Sequence, residues 1–514
     1  MLYICNNNYC LYMFGGSTRL ESIKSLVPEN RHLEYKECRE NRLPTSIWET
    51  VSAFANTDGG KIILGVKEIK KKHLNIPVGI TDEDKLKTDF LNTQKSGKLS
   101  KMVVKESDFE TKNISDRKLL IINVNKISFT KRPIYLDDDI RKTYIRENES
   151  DRKANGDELK IFLRDADSNT DSELLDNFSM DDLNKVDIQN YYLELQDKNN
   201  DLFSDLSLEE FLKSMGLIKR DRSQENAPFK LTSAALLLFG KFNSITDVFP
   251  NFFLDFIEKT SPSSVDYDDR VFTSNELGHP QNIYSFYRIV AAKIDNNIKN
   301  GFVLRGDRRV DAGEDFKRIT RESIVNSLVH ADYSSKRTTK ISMYDDYIEF
   351  DNPGEMRVSS LDFIQGGTSI ARNPKIFDAF IRARLGEHTG SGGYRIYKTA
   401  GELKLRTPII SSSIINTKLI LWKIPLIDSI LKDMPEELRP TYKRIAEKLV
   451  VSYSDLKDLY ASSYQGHNII NELVDKKYVK RSGKGKGTKY YLPSDDPSVR
   501  MSLNSYIQEN LLGH

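Results

Sequence analysis

The sequence predicts an α/β protein of several domains. Three observations carry this. Twice along the chain an amphipathic helical pattern stands before an apolar run of strand length. Ile47, Val51 and Phe54 recur at i, i+4 and i+7 ahead of Lys61–Val66, and Ile324, Val325, Leu328 and Val329 form a stripe ahead of Asp345–Phe350. The length, 514 residues, suits three or four domains. From Pro435 onward the chain reads as three short helices and a hairpin.

Composition narrows the function classes. The chain is 38% hydrophobic and 30% charged, which suits a soluble protein with sizeable cores. A net charge of +2 excludes a polycation, so any nucleic-acid binding must come from local patches. Cys5, Cys10 and Cys38 form no CxxC pair and no Cys/His cluster with zinc spacing. This fits a reducing cytoplasm. The opening MLYICNNNYCLYMFGG has its apolar residues broken by three Asn and no basic segment before them. Neither a signal peptide nor a membrane partner is expected, and Met13 is an alternative start.

The first unit is organised around Glu29–Glu68. Pro44 starts a helix, Asp58-Gly59-Gly60 ends it, and Lys61–Val66 is a buried strand. Packing the helix on that strand would bring Glu34 toward Glu68. Leu119–Val124 is a second buried strand. Leu33-Glu34-Tyr35-Lys36, Ala53-Phe54-Ala55-Asn56-Thr57-Asp58-Gly59-Gly60 and Gly65-Val66 resemble the Schlafen AlbA-type domain. Tyr144-Ile145-Arg146 and Arg152 resemble its end, and the resemblance spans residues 20–165.

In animal Schlafens this fold carries a metal-dependent RNase site of three carboxylates. By resemblance, Glu29 and Glu34, five residues apart, are the first two, and Glu68 is the candidate third. Clustered carboxylates tolerate each other when a hard cation such as Mg²⁺ or Mn²⁺ neutralises them, and that ion can activate a water. Lys36 would steady a scissile phosphate. The other reading is of surface acids in salt bridges with Arg31, Lys36 or Arg39, in a domain that binds nucleic acid or protein without chemistry.

Residues 166–180 lie in an acidic, Ser/Asp-rich stretch that reads as a linker. A connecting region follows over 181–299. In it Ser207 and Glu210 suit a capping box, Leu231–Gly240 an apolar helix, Phe249–Ile257 a strand and Ile283–Ile298 a helix.

The next domain, 300–425, holds a second constellation. Glu322, Asn326 and His330 fall at i, i+4 and i+8, which stacks a carboxylate, an amide and an imidazole along one helix face. Downstream come a strand ending in Asp351-Asn352-Pro353-Gly354, a loop at Gly366-Gly367-Thr368-Ser369 and another at Gly390-Ser391-Gly392-Gly393. Glycine loops let backbone N–H groups approach phosphates closely.

This order resembles the GHKL ATPase fold of gyrase and its relatives, an α/β sandwich. Residues 200–425 resemble more closely the ATP-binding half of bacterial transcriptional-regulator proteins, through Leu231–Gly240 and Glu322–Tyr333. By that resemblance Glu322 would polarise the attacking water, Asn326 would hold Mg²⁺ and His330 would lie near the site. Asp351 would read the adenine amino group beside Gly354. Gly366 and Gly367 would approach the phosphates, and Gly390, Gly392 and Gly393 would form the lid over them. Pro353 stands where the usual Asp-x-Gly-x-Gly turn has its first glycine. A scaffold that no longer binds nucleotide is the alternative.

Over 435–495, three helices and a hairpin make a winged helix. Thr441–Leu449 and Ser454–Tyr460 are the first two helices. The third, Gln465–Tyr478, would enter the major groove with Gln465, His467 and Asn468 at its exposed start. Lys484, Lys486 and Lys489 on the hairpin would meet phosphates. Many such units bind protein instead. The chain as a whole is expected to be a bacterial, homo-oligomeric, ATP-binding and DNA- or RNA-binding protein, a regulator whose conformation nucleotide sets. An ATP-gated nuclease acting in phage defence is the alternative, and an oligomeric scaffold a third.

Overall fold

The computed structural model describes residues 26, 29–69, 74–114, 116–166, 171–199, 206–223, 225, 227–301, 309–385, 390–448, 450–483 and 485–493. The chain folds as two compact units that divide after residue 168.

In chain order the first unit comprises β1 (Leu33–Lys36), α1 (Ile47–Asn56), β2 (Gly60–Leu64), β3 (Val66–Ile69), β4 (Leu74–Pro77) and α2 (Glu83–Thr93). It continues with β5 (Phe109–Ile114), β6 (Arg117–Val124), β7 (Tyr135–Leu136), β8 (Asp139–Glu147), β9 (Ser150–Lys153) and α3 (Gly156–Asp165). Its main sheet has the order β1-β2-β6-β5, with β1 parallel to β2 and the other pairs antiparallel. Ile47, Val51 and Phe54, the periodic face of α1, are fully buried. The glycines after α1 have distinct reasons. Gly59 has φ +72°, and a Cβ at Gly60 would lie 2.7 Å from the Phe54 ring. Asn56 is buried and binds three backbone groups: its Nδ2 donates to the Ile134 and Tyr144 carbonyls, and its Oδ1 accepts from Ile134 N. This ties the end of α1 to β8.

The second unit runs through α4 (Lys185–Asn199), α5 (Leu208–Ser214), β10 (Ile218–Arg220), β11 (Phe229–Leu231), α6 (Ser233–Phe239), α7 (Phe242–Val248), β12 (Leu254–Glu258) and β13 (Asp269–Phe272). Next are α8 (Ile283–Gly301), α9 (Arg309–Val329), β14 (Thr339–Met343), β15 (Tyr347–Pro353), α10 (Ser360–Gln365), α11 (Pro374–Arg382), α12 (Gly392–Glu402), β16 (Ile409–Ser412) and β17 (Asn416–Trp422). Six strands form one mixed sheet, β13-β12-β14-β15-β17-β16, in which only the β12–β14 pair is parallel. The α8 and α9 helices pack on it, and α12 packs on α9. Ile341, Met343, Ile348, Phe350, Leu419 and Leu421 are buried and join the helix core, as alternation along half-covered strands requires. Ser207 and Glu210 form the expected capping box.

Two expectations change. The strand sought over Phe249–Ile257 begins only at Leu254, because the chain leaving the Phe242–Val248 helix first turns at Pro250 and Asn251. The stretch read as a linker is anchored from Asp171 onward. Leu175 sits in the core at 7% exposure, and Asp171 Oδ2 accepts the Lys375 and Ile376 N–H groups at the start of α11. A buried carboxylate at an unpaired helix start satisfies donors that water would otherwise take.

The unit ends in α13 (Leu426–Asp433), α14 (Arg439–Lys448), β18 (Val450–Ser452), α15 (Ser463–Asp475), β19 (Lys480–Ser482) and β20 (Lys489–Tyr491). The strands order as β18-β20-β19. Between β18 and α15 the expected short helix is two 3₁₀ turns, Tyr453–Asp455 and Lys457–Leu459. Leu438, Tyr442, Ile445, Leu456, Ile470 and Leu473 form its core.

Candidate functional site

The α9 helix positions the carboxylate, amide and imidazole. Glu322, Asn326 and His330 line one cleft of about 830 Å³ including its open mouth. Phe350 and Asn352 of β15, Thr417 and Leu419 of β17, Met356–Val358, Thr368–Ile370 and Gly390, Gly392 and Gly393 complete its wall. Glu322 is 7% exposed, and Arg395 of α12 lies 3.8 Å from its carboxylate. The start of α12 comes so close that a Cβ at Gly392 would collide with Glu322 Oε1 and lie 3.4 Å from Asn326 Nδ2. At Gly393 a Cβ would collide with the Phe363 carbonyl. Only glycine lets these backbones approach so closely.

The two glycine loops meet each other. Gly367 N donates to the Gly390 carbonyl at 3.3 Å, and a Cβ on Gly390 would stand 2.8 Å from Thr368 backbone atoms. Gly366 and Gly367 take positive φ and shape the turn, while Thr368, Ser369 and Ile370 face the cleft. His330 titrates far below its ordinary value, at about 4. Burial is the main cause, and the charges of Arg372 and Arg357 add to it. The imidazole in this wall is therefore neutral near pH 7.

Asp351, expected to read the adenine, stands outside the cleft wall. Along β15 the side chains alternate, and Asn352 lines the cleft while Asp351 does not. Asp351 accepts from Asn416 Nδ2 at 2.8 Å instead. Gly354 is likewise absent from the wall. Its φ is +99°, and a Cβ there would meet the buried Arg372 guanidinium at 2.9 Å, so this glycine serves packing. Sequence reasoning missed Arg357, whose Nη1 donates to the Ala371 carbonyl. It sits in a loop without periodicity, where no local pattern marks it.

In the first unit, Glu29, Glu34 and Glu68 share one electrostatic neighbourhood with Lys36. Burial raises the Glu29 pKa, the Tyr35 N–H opposes this, and the Glu34 and Glu68 charges raise it further. Glu34 is committed: Oε1 accepts from Lys36 Nζ at 2.6 Å and Oε2 from Arg146 Nη2 at 2.9 Å. Arg146 also holds Asp151 at 2.8 Å and lies 5.0 Å over the Phe54 ring. Arg31 pairs with Asp58, and Arg39 with Glu37. Among the described residues no group of three or more His, Cys, Asp and Glu is arranged to hold a metal ion. With both Glu34 oxygens on cations, this donor set does not fit Mg²⁺ or Mn²⁺ as arranged.

At the C-terminal end, Gln465, His467 and Asn468 are exposed on the first turns of α15. Ser462 caps that helix by accepting from Gln465 N, and the His467 ring stacks on Tyr453 at 4.5 Å. Lys480 and Arg481 on β19 and Lys489 on β20 are exposed. Lys484 lies outside the described residues, and Lys486 belongs to the turn Gly485–Gly487. Among the described residues no helix is long and apolar enough to cross a membrane.

Three family models match separate stretches of the chain. The Schlafen, AlbA_2 family model matches residues 29–155. The family described as "Putative ATP-dependent DNA helicase recG C-terminal" matches residues 337–421, and a domain of unknown function (DUF8451) matches 160–255. The DIP2311 protein from Corynebacterium diphtheriae is similar at 16% identity over 90% of this chain and 95% of that one, with a TM-score of 0.38. The N-terminal domain of a Nitrosomonas europaea protein described as "Putative ATP-dependent DNA Helicase RecG-related Protein" is similar at 26% identity over 24% of this chain and 82% of that one, with a TM-score of 0.18. No curated protein matches the chain.

Proposed function

We propose that this chain, with its Schlafen AlbA_2 domain and its RecG C-terminal type segment, binds ATP in the α9 cleft and uses it to set how the protein holds DNA. One observation carries the reading: Glu322 and Asn326 share a single cleft with both glycine loops. Apolar walls at Phe350, Ile370 and Leu419 suit a base, and Asn352 offers both a donor and an acceptor to its edge. The Gly390–Gly393 backbone at the start of α12 suits phosphates. Glu322 is the group that would take a proton from a water aimed at the terminal phosphate.

Mg²⁺ fits this cleft. Asn326 supplies one neutral oxygen, and Mg²⁺ commonly takes its other ligands from phosphates and water. Bound there, the ion would neutralise phosphate charge. On the DNA side, α15 is the element that suits a major groove, and the β19–β20 hairpin suits the flanking phosphates. These two assignments read the six-stranded sheet and its helices as a GHKL-like sandwich, and the C-terminal unit as a winged helix. The test is fluorescence anisotropy of a labelled duplex with the full chain, with and without Mg²⁺-ATP. A nucleotide-dependent shift in affinity is expected, and an identical salt-matched affinity would refute the coupling.

A second reading, a nuclease in the first unit, has one observation in its favour: the charges of Glu34, Glu68 and Lys36 all act on the Glu29 carboxylate. It requires Glu34 to leave Arg146. Incubation with labelled RNA and single-stranded DNA in Mn²⁺ tests it, and an uncut substrate would remove it.

A further inference from the structure

The α15 helix presents two amides on one stripe. At about 100° per residue, Tyr464, Asn468 and Asn471 fall together, opposite the buried Gly466, Ile470 and Leu473. All three are exposed. The other polar groups of the first turns are engaged within the chain. Gln465 Oε1 accepts from Ala461 N at 3.1 Å, which turns this amide back toward the segment before the helix. His467 Nδ1 lies 2.7 Å from the Ser463 carbonyl, which can only accept, so Nδ1 carries the hydrogen and the neutral ring keeps a single acceptor at Nε2. The same ring is stacked on Tyr453. Among the described residues no hydrogen bond holds the side chain of Asn468 or Asn471.

An asparagine amide offers an acceptor and a donor side by side. In the major groove the adenine edge answers both, with the N6 amino group as donor and N7 as acceptor. Residues three or four apart on a helix in that groove meet successive bases. Asp475, exposed on the same stripe in the last turn, carries a charge that phosphates repel, so the N-terminal half of α15 is the part that suits the groove. We propose that α15 selects DNA sites with adenines at neighbouring base pairs, one held by Asn468 and the other by Asn471. The inference rests on the DNA reading above and adds to it a base preference and the residues that set it.

Selection from a random duplex library with the full chain, followed by fluorescence anisotropy on the enriched duplex, tests it. The enriched site should carry adenines at neighbouring positions. Replacing either with 7-deazaadenine, which still pairs with thymine but lacks N7, should weaken wild-type binding roughly tenfold by leaving an amide donor unpaired. Asn468→Ala and Asn471→Ala should each bind the enriched duplex roughly tenfold more weakly and a scrambled duplex within about twofold of wild type. Their salt slopes should match wild type, since neither amide meets a phosphate. Each variant should become insensitive to 7-deazaadenine at one of the two positions and stay sensitive at the other. Alanine favours a helix, so both variants keep α15. Wild-type binding that enriches no sequence, an enriched site without neighbouring adenines, or variants that discriminate the two duplexes as wild type does would each overturn the inference while leaving DNA binding intact. A wild type that binds no duplex refutes the DNA reading itself, and the inference falls with it.

Discussion

Asp351 and Asn352 are neighbours on β15 that serve opposite faces of the sheet: Asn352 lines the cleft, while Asp351 is bound to Asn416 and lies 3.7 Å from Lys418 Nζ. Successive strand residues point to opposite sides, so on the proposed nucleotide reading the amide is the group placed to meet the base. Asn352→Ala should weaken ATP by about tenfold, the size of one lost hydrogen bond to a buried polar edge. Asp351→Asn should leave affinity within about twofold. Calorimetry decides, and the reverse ranking would return the role to Asp351.

The Glu34–Arg146 pair predicts a stability effect. Arg146 has a side chain only 1% exposed, and losing Glu34 leaves Asp151 and the Asn30 carbonyl, at 2.8 and 3.0 Å, to hold a buried cation that had two carboxylates. Glu34→Ala should cost roughly 3 kcal/mol, as removing one partner of a buried pair does. The two tryptophans, Trp48 and Trp422, report on different units. In a Trp422→Phe background, urea unfolding followed by Trp48 fluorescence measures this cost. An unchanged midpoint together with lost Mn²⁺-dependent cleavage would favour the catalytic role for Glu34.

Two groups in the second unit give opposed pH dependences. His330 titrates at about 4 against an ordinary 6.5, so between those values the unfolded chain binds more protons and stability rises with pH. Asp171 titrates at about 6 against an ordinary 3.8, chiefly through burial, so between those values the folded chain binds more protons and stability falls as pH rises. The two slopes oppose each other from about pH 4 to 6. His330→Gln should therefore leave a second unit that loses stability as pH rises through that window. Asp171→Asn should leave one that gains stability there. Trp422 fluorescence in a Trp48→Phe background reads both. The same slope in both variants would contradict the pair of assignments.

The hairpin makes an electrostatic prediction. Arg481 and Lys489 are exposed on β19 and β20. Replacing both with Ala should lower the slope of log affinity for duplex DNA against log salt by roughly 2, since each phosphate contact contributes about 0.9. An unchanged slope would show that the hairpin does not meet DNA.

The sequence carried the parts of this architecture that local periodicity sets. The Glu322–Asn326–His330 line needs only a helix to bring its members to one wall, and the Ser207 capping box needs only one turn. What escaped depends on tertiary placement. Which of Asp351 and Asn352 faces inward depends on strand register, since a one-residue offset exchanges the faces. Arg395 meets Glu322 only once α12 packs on α9. Arg146 stands more than a hundred residues from Glu34 in the chain, and its role follows from the sheet that brings them together. The acidic composition of residues 166–180 concealed Asp171, whose carboxylate finds donors only when α11 is in place.

Hydrogen–deuterium exchange of the full chain with and without Mg²⁺-ATP tests the central claim most directly. The account predicts slowed exchange in 322–330, 350–358, 368–370 and 390–397, the segments that line the cleft and start α12, with little change in the first unit's sheet. Unchanged exchange in those four segments at saturating ATP, or protection confined to residues 29–155, would contradict it.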